Sequence, residues 1–468
     1  MQPNTLLQGK NEVTPENLGD AIQQAIEIEI ATIPVYLHTY YTINRTPNQA
    51  NLITSMEASL VKAGKSASEA TRIATECSAE IMVYANKAGA VIMSVAVEEM
   101  LHMSLSSNLK QALAGTPELM GKSPSVWPAY LAGHIPEFPI DLGPFSLKQL
   151  KTFLKIESPQ ELPKNDLRIK KAIDYTTIGK FYDMITECIK SHDFKYNKDK
   201  PQLIPGRGYY ANNNVDTLYY NKEHKPQFTN AKDSGDLIHV TDRESALAAI
   251  ELIVHQGEGH ESATPLNPDG SVNCEKPTDA DYDDAMHKEL SHFEKFARLY
   301  CRYVNLEEKF AKLGLQEPGT YFVHNTAINP KDADFPEAVQ KVSAFLNAVY
   351  SYIFLMSEEC YRKDGNTQYE IFMFGIHKSM IWILNNLCNE MVKLNYIGPD
   401  GNSYVAAATF KEYTFTAASS PKSQVIDLFN QAAAVNGNIA YLKERLHDLP
   451  DVSLEPYLNG PKRTSLFS

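Results

Sequence analysis

Two distant segments pair a glutamate with a histidine three residues later. Glu99 precedes His102 in VAVEEMLHMSL, and Glu289 precedes His292 in MHKELSHFEKF. Residues three apart lie on one face of a helix, so both members of a pair can reach the same ion. Carboxylates bind hard cations, and the imidazole nitrogen suits iron. The two pairs therefore predict ligands of a metal centre held between helices.

A third pair with the same spacing, Glu444 and His447, has different surroundings. It lies beside Lys443 and Asp448, off the apolar face of its segment. The first two pairs instead share helical stripes with apolar residues, which turn toward a core. We expect the third pair to face solvent.

Two further segments each offer a single glutamate. Glu29 in AIEIEIATIPVYL shares a stripe with Ile22 and Ile26, whereas Glu27 lies on another face. Glu258 follows in AIELIVHQGEGH. One glutamate from each of two helices and a Glu-x-x-His pair from each of two others is the ligand pattern of di-iron four-helix bundles. The predicted metal ligands are Glu29, Glu99, His102, Glu258, Glu289 and His292.

Buried carboxylates are costly unless they are paired or bind a metal. A buried salt-bridge network would need inward lysines or arginines, and we expect none on these stripes. Glu98, one position from the stripe, is expected at the surface or behind the ligands. The candidate catalytic residues are His255 and Tyr36. His255 fits a further ligand, a proton shuttle, a group that orients a ligand, or a hydrogen-bonded core histidine.

Helical periodicity dominates the sequence and predicts an all-α fold. The ligands fall in predicted helices over residues 15–41, 78–114, 242–260 and 279–304, the first capped by Thr14 and kinked at Pro34. Other helices are predicted over 166–190, 336–362, 369–394 and 421–447, and weak strands over 237–240 and 404–409. Residues 121–241 are rich in Pro, Gly, Asn and Tyr. They read as a long insertion at the crossover of a ferritin-like four-helix bundle.

We expect two domains, a metal-binding bundle over 1–310 and a C-terminal helical extension over 311–468 packed on it. The formal net charge of −13 disfavours nucleic-acid binding. No secretion signal or membrane span is predicted, so we expect a cytoplasmic protein with no membrane partner. The six cysteines form no CxxC pair, and all are expected as reduced thiols.

These motifs resemble a known family, the ferritin-like domains of the iminophenylpyruvate dimer synthases of violacein-, rebeccamycin- and staurosporine-type pathways, with their stand-alone relatives. The similar stretches are EIEIATIPVYL, EEMLHMSLSSNL, FLKIESP, IGKFYDMI, IVHQGEG and ELSHF. The resemblance implies the same six ligands and an oxidative enzyme that couples two amino-acid-derived imines. His255 departs from the family's usual QGEG context.

The expected function is that of a non-haem di-iron oxidoreductase with two iron ions and O2 as co-substrate. Its partner would be a small amino-acid-derived or aromatic metabolite, held by the Tyr-rich insertion and the C-terminal helices. A homo-oligomer and an external electron donor stay open. The alternatives are a mononuclear iron enzyme, an iron-storage or metal-stabilised structural protein, and a scaffold that binds no metal.

Overall fold

Helices account for most of the chain, as the sequence predicts. The computed structural model describes residues 12–159, 172–209, 236–257, 267, 271–274, 290–459, 463 and 465–467. Glu258 and Glu289, two of the predicted ligands, lie outside these described residues. Within the described ranges, strands form only two short antiparallel pairs, so the predicted all-α class is confirmed.

The α-helices of the described ranges follow one another along most of the chain. In chain order they are α1 (Leu18–Tyr41), α2 (Gln49–Lys62), α3 (Ala67–Leu113), α4 (Leu147–Ile156), α5 (Ile178–Ser191), α6 (Arg243–Gln256), α7 (His292–Leu313), α8 (Glu337–Cys360), α9 (Gly365–Glu370), α10 (Asn385–Met391), α11 (Pro421–Val435), α12 (Lys443–His447) and α13 (Glu455–Leu458). Short 3-10 turns span Pro318–Tyr321, Asp332–Asp334 and Gly437–Leu442. Between α9 and α10, two π-helical turns, Ile371–His377 and Ser379–Leu384, form what we call the π segment.

Both strand pairs are hairpin-like and lie outside the helical layers. Strand β1 (Ala129–Tyr130) pairs with β2 (Pro139–Ile140) inside the insertion. Strand β3 (Asn395–Ile397) pairs with β4 (Ser403–Val405), with Tyr396 opposite Tyr404.

Four helices that carry or adjoin predicted ligands form the central bundle. Helix α1 packs along α3, and both α6 and α7 pack against α3. The insertion supplies α4, which packs on α7, and α5, which packs on α6 and α1. Beyond the bundle, α8 packs with α11 and the π segment. The FLKIESP and IGKFYDMI motifs thus lie on helices that cover the bundle.

Several predicted helix boundaries are corrected. Helix α1 begins at Leu18 rather than Pro15, because the Asn17 side chain accepts a hydrogen bond from the Thr14 amide and holds a turn there. It then continues through Pro34 without a break. Helix α3 begins at Ala67, with Ser66 as its N-cap, well before the predicted start at residue 78. Helix α5 begins after the cap Thr177, not at residue 166.

The predicted strand over 237–240 is absent from the structure. Side chains, not a neighbouring strand, satisfy its backbone. Gln202 donates to the Val240 carbonyl and accepts from the Val240 amide, both at 2.9 Å. Asn108 donates to the Ile238 carbonyl at 2.9 Å. The strand predicted over 404–409 survives only within β4.

One pair of cysteines is joined, contrary to the expectation of six reduced thiols. Cys274 and Cys301 form a disulfide across a Cα–Cα distance of 5.2 Å. The remaining four cysteines, Cys77, Cys188, Cys360 and Cys388, are buried and free. Sequence spacing alone did not reveal the pair, because the fold returns Cys274 to the middle of α7. The expectation of reduced thiols therefore holds for four of the six cysteines.

Helix α3 is long and apolar enough to span a membrane by composition. Its most apolar stretch is 83% buried inside the fold. Neighbouring helices therefore account for its hydropathy, as they do for the central helix of any large bundle.

Candidate metal centre

Two side chains of α3, an acid and a histidine, form one side of the centre. Glu99 and His102 lie one turn apart on its inward face and are 3% and 1% exposed. His102 Nδ1 lies 3.8 Å from Glu99 Oε1 and 3.9 Å from Glu29 Oε2 on α1. The Glu29 side chain is also buried. Helices α1 and α3 thus bring three of the predicted ligands into one cluster, which we call the ligand cluster.

His292 enters the ligand cluster from the opposite side, at the first residue of α7. Its Nδ1 lies 2.9 Å from Glu99 Oε1, and its ring stacks on His102 with centroids 5.3 Å apart. The His292 amide donates to the Gly257 carbonyl at 2.8 Å, which joins the start of α7 to the end of α6. One ligand atom each from Glu99, His102 and His292 lies within 4.8 Å of the others.

The predicted helical pairing of Glu289 with His292 is corrected, because α7 begins at His292 with Ser291 as its N-cap. Helix α6 likewise ends at Gln256, ahead of Glu258. The structure thus brings together four predicted ligands, and Glu258 and Glu289 lie outside the described residues.

His255 is not brought into the ligand cluster, contrary to the expected catalytic role. Its side chain is exposed, and the next residue, Gln256, faces the cluster instead. Gln256 is fully buried, and its Oε1 accepts a hydrogen bond from His102 Nε2 at 3.0 Å. That bond leaves His102 Nδ1 directed at the carboxylates. At the end of α6, Gln256 therefore contacts the cluster, and the predicted residue His255 does not.

Glu98 orients the second imidazole. His292 Nε2 donates to Glu98 Oε2 at 2.8 Å, and Lys295 donates to the same oxygen. Glu98 is thus buried behind a ligand, one of the two positions expected for it. The expectation that no inward lysine or arginine accompanies the ligands is wrong for Lys295. This lysine pairs with Glu98, however, and in the described part of the chain no lysine forms an ion pair with Glu29 or Glu99.

A fifth side chain, the acid Glu157, belongs to the ligand cluster and was not predicted. It follows α4 in the FLKIESP motif, is 3% exposed, and places Oε2 3.5 Å from His292 Nδ1. Its other oxygen accepts a hydrogen bond from Tyr36. The signal available in the sequence was the motif itself, which resembles the family although the bundle's ligand recipe does not require it.

Tyr36, a predicted catalytic residue, is fully buried at the edge of the ligand cluster. Its ring packs against Phe153 of α4 and Phe296 of α7 at centroid distances of 4.8 and 5.4 Å. Burial and the charge of Glu157 raise the pKa of the Tyr36 hydroxyl well above its usual value. Tyr36 therefore remains a hydrogen-bond donor to Glu157.

Hydroxyl groups hold the remaining carboxylate oxygens. Thr32 donates to Glu99 Oε2 at 2.6 Å, and Tyr182 of α5 donates to Glu29 Oε1 at 2.7 Å. Tyr182 is itself held by Ser106, 2.9 Å away. Each acid thus has one oxygen fixed by a neighbour and the other directed at the histidines.

Negative charge exceeds positive charge inside the ligand cluster. Burial and the Glu99 charge raise the pKa of Glu29 well above its usual value, and raise that of Glu157 as well. Burial alone would raise the pKa of Glu99 and lower that of His292. For Glu99 the hydrogen bond to His292 and its charge outweigh burial, and for His292 the acid Glu157, with Glu98 and Glu99, does so. The pKa of Glu99 falls to about 2, and that of His292 rises well above its usual value.

These donors fit a metal ion. Burial lowers the pKa of His102 to about 4, so its ring is neutral and can serve as a ligand. The His292 Nδ1 atom is fully buried and has no hydrogen-bond partner among the described residues. Without a metal, a proton on His292 is the cation that the carboxylates of Glu98, Glu99 and Glu157 share. A divalent cation with oxygen and nitrogen ligands would replace it.

The third Glu-x-x-His pair behaves as expected. Glu444 and His447 on α12 are both exposed. His447 is therefore a histidine of the same sequence context that can serve as a control.

The sequence was also compared with known proteins. A family model described as Ferritin-like matches residues 22–301, more than half of the chain. Among curated proteins, none matches. A crystal structure of a ferritin like protein from Caulobacter vibrioides is 17% identical to this chain, covering 80% of this chain and 98% of that one, with a TM-score of 0.39. The family assignment rests on the family model.

Proposed function

Because this chain belongs to the ferritin-like family, we propose that it is a non-haem di-iron oxidoreductase that uses O2 to oxidise a small organic metabolite. The observation that carries the proposal is the buried trio Glu99, His102 and His292, whose ligand atoms lie within 4.8 Å of one another. The resemblance to the dimer synthases supports an amino-acid-derived or aromatic substrate. It also supports oxidative imine coupling as the reaction.

Four side chains would hold the metal: Glu29, Glu99, His102 and His292. Bound Fe(II) ions would supply the electrons that reduce O2 and afterwards accept electrons from the substrate. The protein's part is to fix these ligands before metal arrives. Side chains that hydrogen-bond to a metal ligand raise its basicity and fix its orientation. Among the described residues, the hydrogen-bond partners of the four ligands are Thr32, Tyr182, Gln256 and Glu98.

Glu157 and Tyr36 would manage protons beside the ligands. Tyr36 keeps its proton and holds Glu157 Oε1 by a hydrogen bond. Burial raises the pKa of Glu157, so this acid would take up a proton and release it toward the cluster from Oε2. Phe153 and Phe296 pack around the Tyr36 ring and exclude water from this edge. Glu157 would serve either as a further ligand or as this proton carrier.

Iron loading tests the proposal. Purified protein is titrated with Fe(II) without oxygen, and iron is counted after removal of the excess and after an O2 pulse. We expect about two ions per chain. His292→Ala should lower that count, because it removes the nitrogen donor from α7. His447→Ala, which changes an exposed histidine of the same motif, should leave it unchanged.

Other counts would overturn the proposal. Accumulation of many irons per chain after repeated O2 pulses would indicate iron storage. Absence of bound iron in wild-type protein would indicate a scaffold. Loss of iron in His447→Ala together with full loading of His292→Ala would show that the ligand cluster is not the metal site.

A further inference from the structure

A cavity of about 90 Å³ lies on a face of α3 different from the one that carries the metal ligands. Met100 follows Glu99 by one residue, which is about 100° around a helix, and lines this cavity. Helix α1 contributes Ile33 and Leu37 to the same wall. The opposite wall comes from α8 and the π segment. The cavity therefore lies between the bundle and the C-terminal helices.

The cavity wall is apolar and uncharged. None of the described residues that line it is an aspartate, glutamate, lysine or arginine. Four of its side chains are methionines: Met93, Met100, Met103 and Met380. Methionine is unbranched and polarizable, so a wall built from it adapts to the shape of an apolar guest. A charged guest would lose its hydration without a compensating partner.

One polar group on this wall lacks a partner. Ser107 is fully buried, and its hydroxyl makes no hydrogen bond among the described residues. Two buried serines of α8 are instead satisfied by the preceding turn: Ser351 donates to the Asn347 carbonyl at 2.9 Å, and Ser357 to the Ile353 carbonyl at 2.8 Å. Ser107 lines the cavity. Its hydroxyl is therefore available to a guest.

The π segment forms the wall opposite α3 and contributes Phe372, Ile376 and His377. π-helical turns are rare and occur frequently at functional sites. Burial lowers the pKa of His377, so its ring stays neutral and preserves the uncharged lining.

We propose that this cavity binds a small, uncharged, mainly apolar molecule with one hydrogen-bonding group, of the size of a simple phenol. The group would meet Ser107 and the ring would lie among the methionines. An engineered apolar cavity of roughly 150 Å³ binds benzene. At about 90 Å³ this cavity admits one ring if a methionine changes rotamer, and nothing much larger. The site is separate from the metal centre and does not depend on the proposed oxidation.

Three probes of similar size test the proposal: phenol, toluene and benzoate. Full-length protein with ¹³C-methyl methionine is titrated with each and followed by NMR. Phenol and toluene should shift the methyl signals of Met93, Met100, Met103 and Met380, whereas benzoate should not. The signals of Met56 and Met391, which do not line the cavity, should stay in place. Failure of both neutral probes, or equal binding of benzoate, would overturn the proposal.

Variants test whether phenol contacts Ser107 and whether the probes bind in this cavity. Ser107→Ala should weaken phenol binding about threefold to tenfold and leave toluene unaffected, because only phenol can use the hydroxyl. Met100→Phe fills the cavity and should abolish binding of both probes. Met373→Phe, on the π segment but outside the cavity, is the matched control. Unchanged phenol binding in a folded Met100→Phe protein would place the probe elsewhere.

Two further measurements keep the result interpretable. If Met100→Phe does not fold by circular dichroism, Ile376→Trp blocks the cavity from the opposite wall. His292→Ala should retain phenol binding, because the metal ligand lies on another face of the bundle. A negative result in the iron titration therefore leaves the phenol result unaffected, and the reverse also holds.

Discussion

At the scale of single residues, the ligand cluster is organised by bonds to the far side of each imidazole. His102 and His292 both direct Nδ1 at the carboxylates, because Gln256 and Glu98 accept hydrogen bonds from their Nε2 atoms. The two acceptors differ in charge. Gln256 is neutral, whereas Glu98 is a carboxylate that Lys295 also binds. The His292 side of the cluster should therefore be the more basic.

Glu98→Gln tests this orientation at the residue scale. The substitution removes the charge that holds His292 and leaves Lys295 without its partner. Loss of such a supporting residue typically lowers metal affinity about 10- to 100-fold. Competition against a chromophoric chelator would measure the affinity for Fe(II). Glu76→Gln is the control, because Glu76 lies on the same helix in an exposed pair with Arg72. Equal affinities of the two variants would refute the role of Glu98.

At the scale of elements, α7 carries both a candidate ligand and a disulfide-bonded cysteine. It begins at His292, and Cys301, midway along it, is bonded to Cys274. The hydrogen bond from the His292 backbone amide to the Gly257 carbonyl also fixes α7 to the end of α6. The disulfide thus joins Cys274 to the helix that carries His292. The two bonded cysteines are 27 positions apart in the sequence, so the disulfide closes a loop of about that length.

We expect this disulfide to contribute to stability by restricting the unfolded chain. Cys274→Ser should lower the free energy of unfolding by about 2 to 4 kcal/mol, measured in urea without reductant. Reduction of the wild type should give a similar loss, and reduction of the variant should add little. Thiol titration of the unfolded, non-reduced wild type should count the four free cysteines. A count of six, the total in the sequence, would show that the bond is absent.

At the scale of the whole molecule, the bundle is covered by the insertion and the C-terminal region. Helix α1 is buried on its polar face as well as on its apolar one. Gln24 donates to the Ile173 carbonyl, Glu27 pairs with Lys122 at 2.9 Å, and His38 contacts the Ala408 carbonyl. Two acids bind the segment that follows α3. Glu358 accepts hydrogen bonds from the backbone amides of Leu119 and Met120. Glu412 accepts one from the backbone amide of Ser123.

Glu412 should make this attachment depend on pH. Burial raises the pKa of Glu412 to about 7, although the backbone amides that donate to it work in the opposite direction. An acid with a raised pKa in the folded state contributes stability below its unfolded pKa of 4.5, and that contribution is lost as the pH rises through 7.

The measurement is the free energy of unfolding of metal-free protein across this pH range. The wild type should lose stability relative to Glu412→Gln as the pH rises from 4.5 to 7, because the amide does not ionise. Glu455→Gln, at an exposed glutamate, should follow the wild type. Parallel curves for wild type and Glu412→Gln would exclude the effect.

The sequence by itself determined what is local to a helix. Glu99 and His102 share a face because of their spacing, Glu29 lies on an apolar stripe, and His447 lies off one. Helical geometry repeats every 3.6 residues, so such positions follow from the order of residues alone. The all-α class follows from the same periodicity, and the insertion follows from its content of Pro, Gly, Asn and Tyr.

Tertiary structure decided what depends on distant segments. Glu157 reaches the ligand cluster only because α4 packs on α7, and Cys274 meets Cys301 only in the folded chain. Gln256 rather than His255 faces His102, since one residue turns a helix by about 100° and the end of α6 sets which side chain points inward. Packing between separate helices decides which of two adjacent residues faces the cluster. The spacing of residues along the chain does not contain that information.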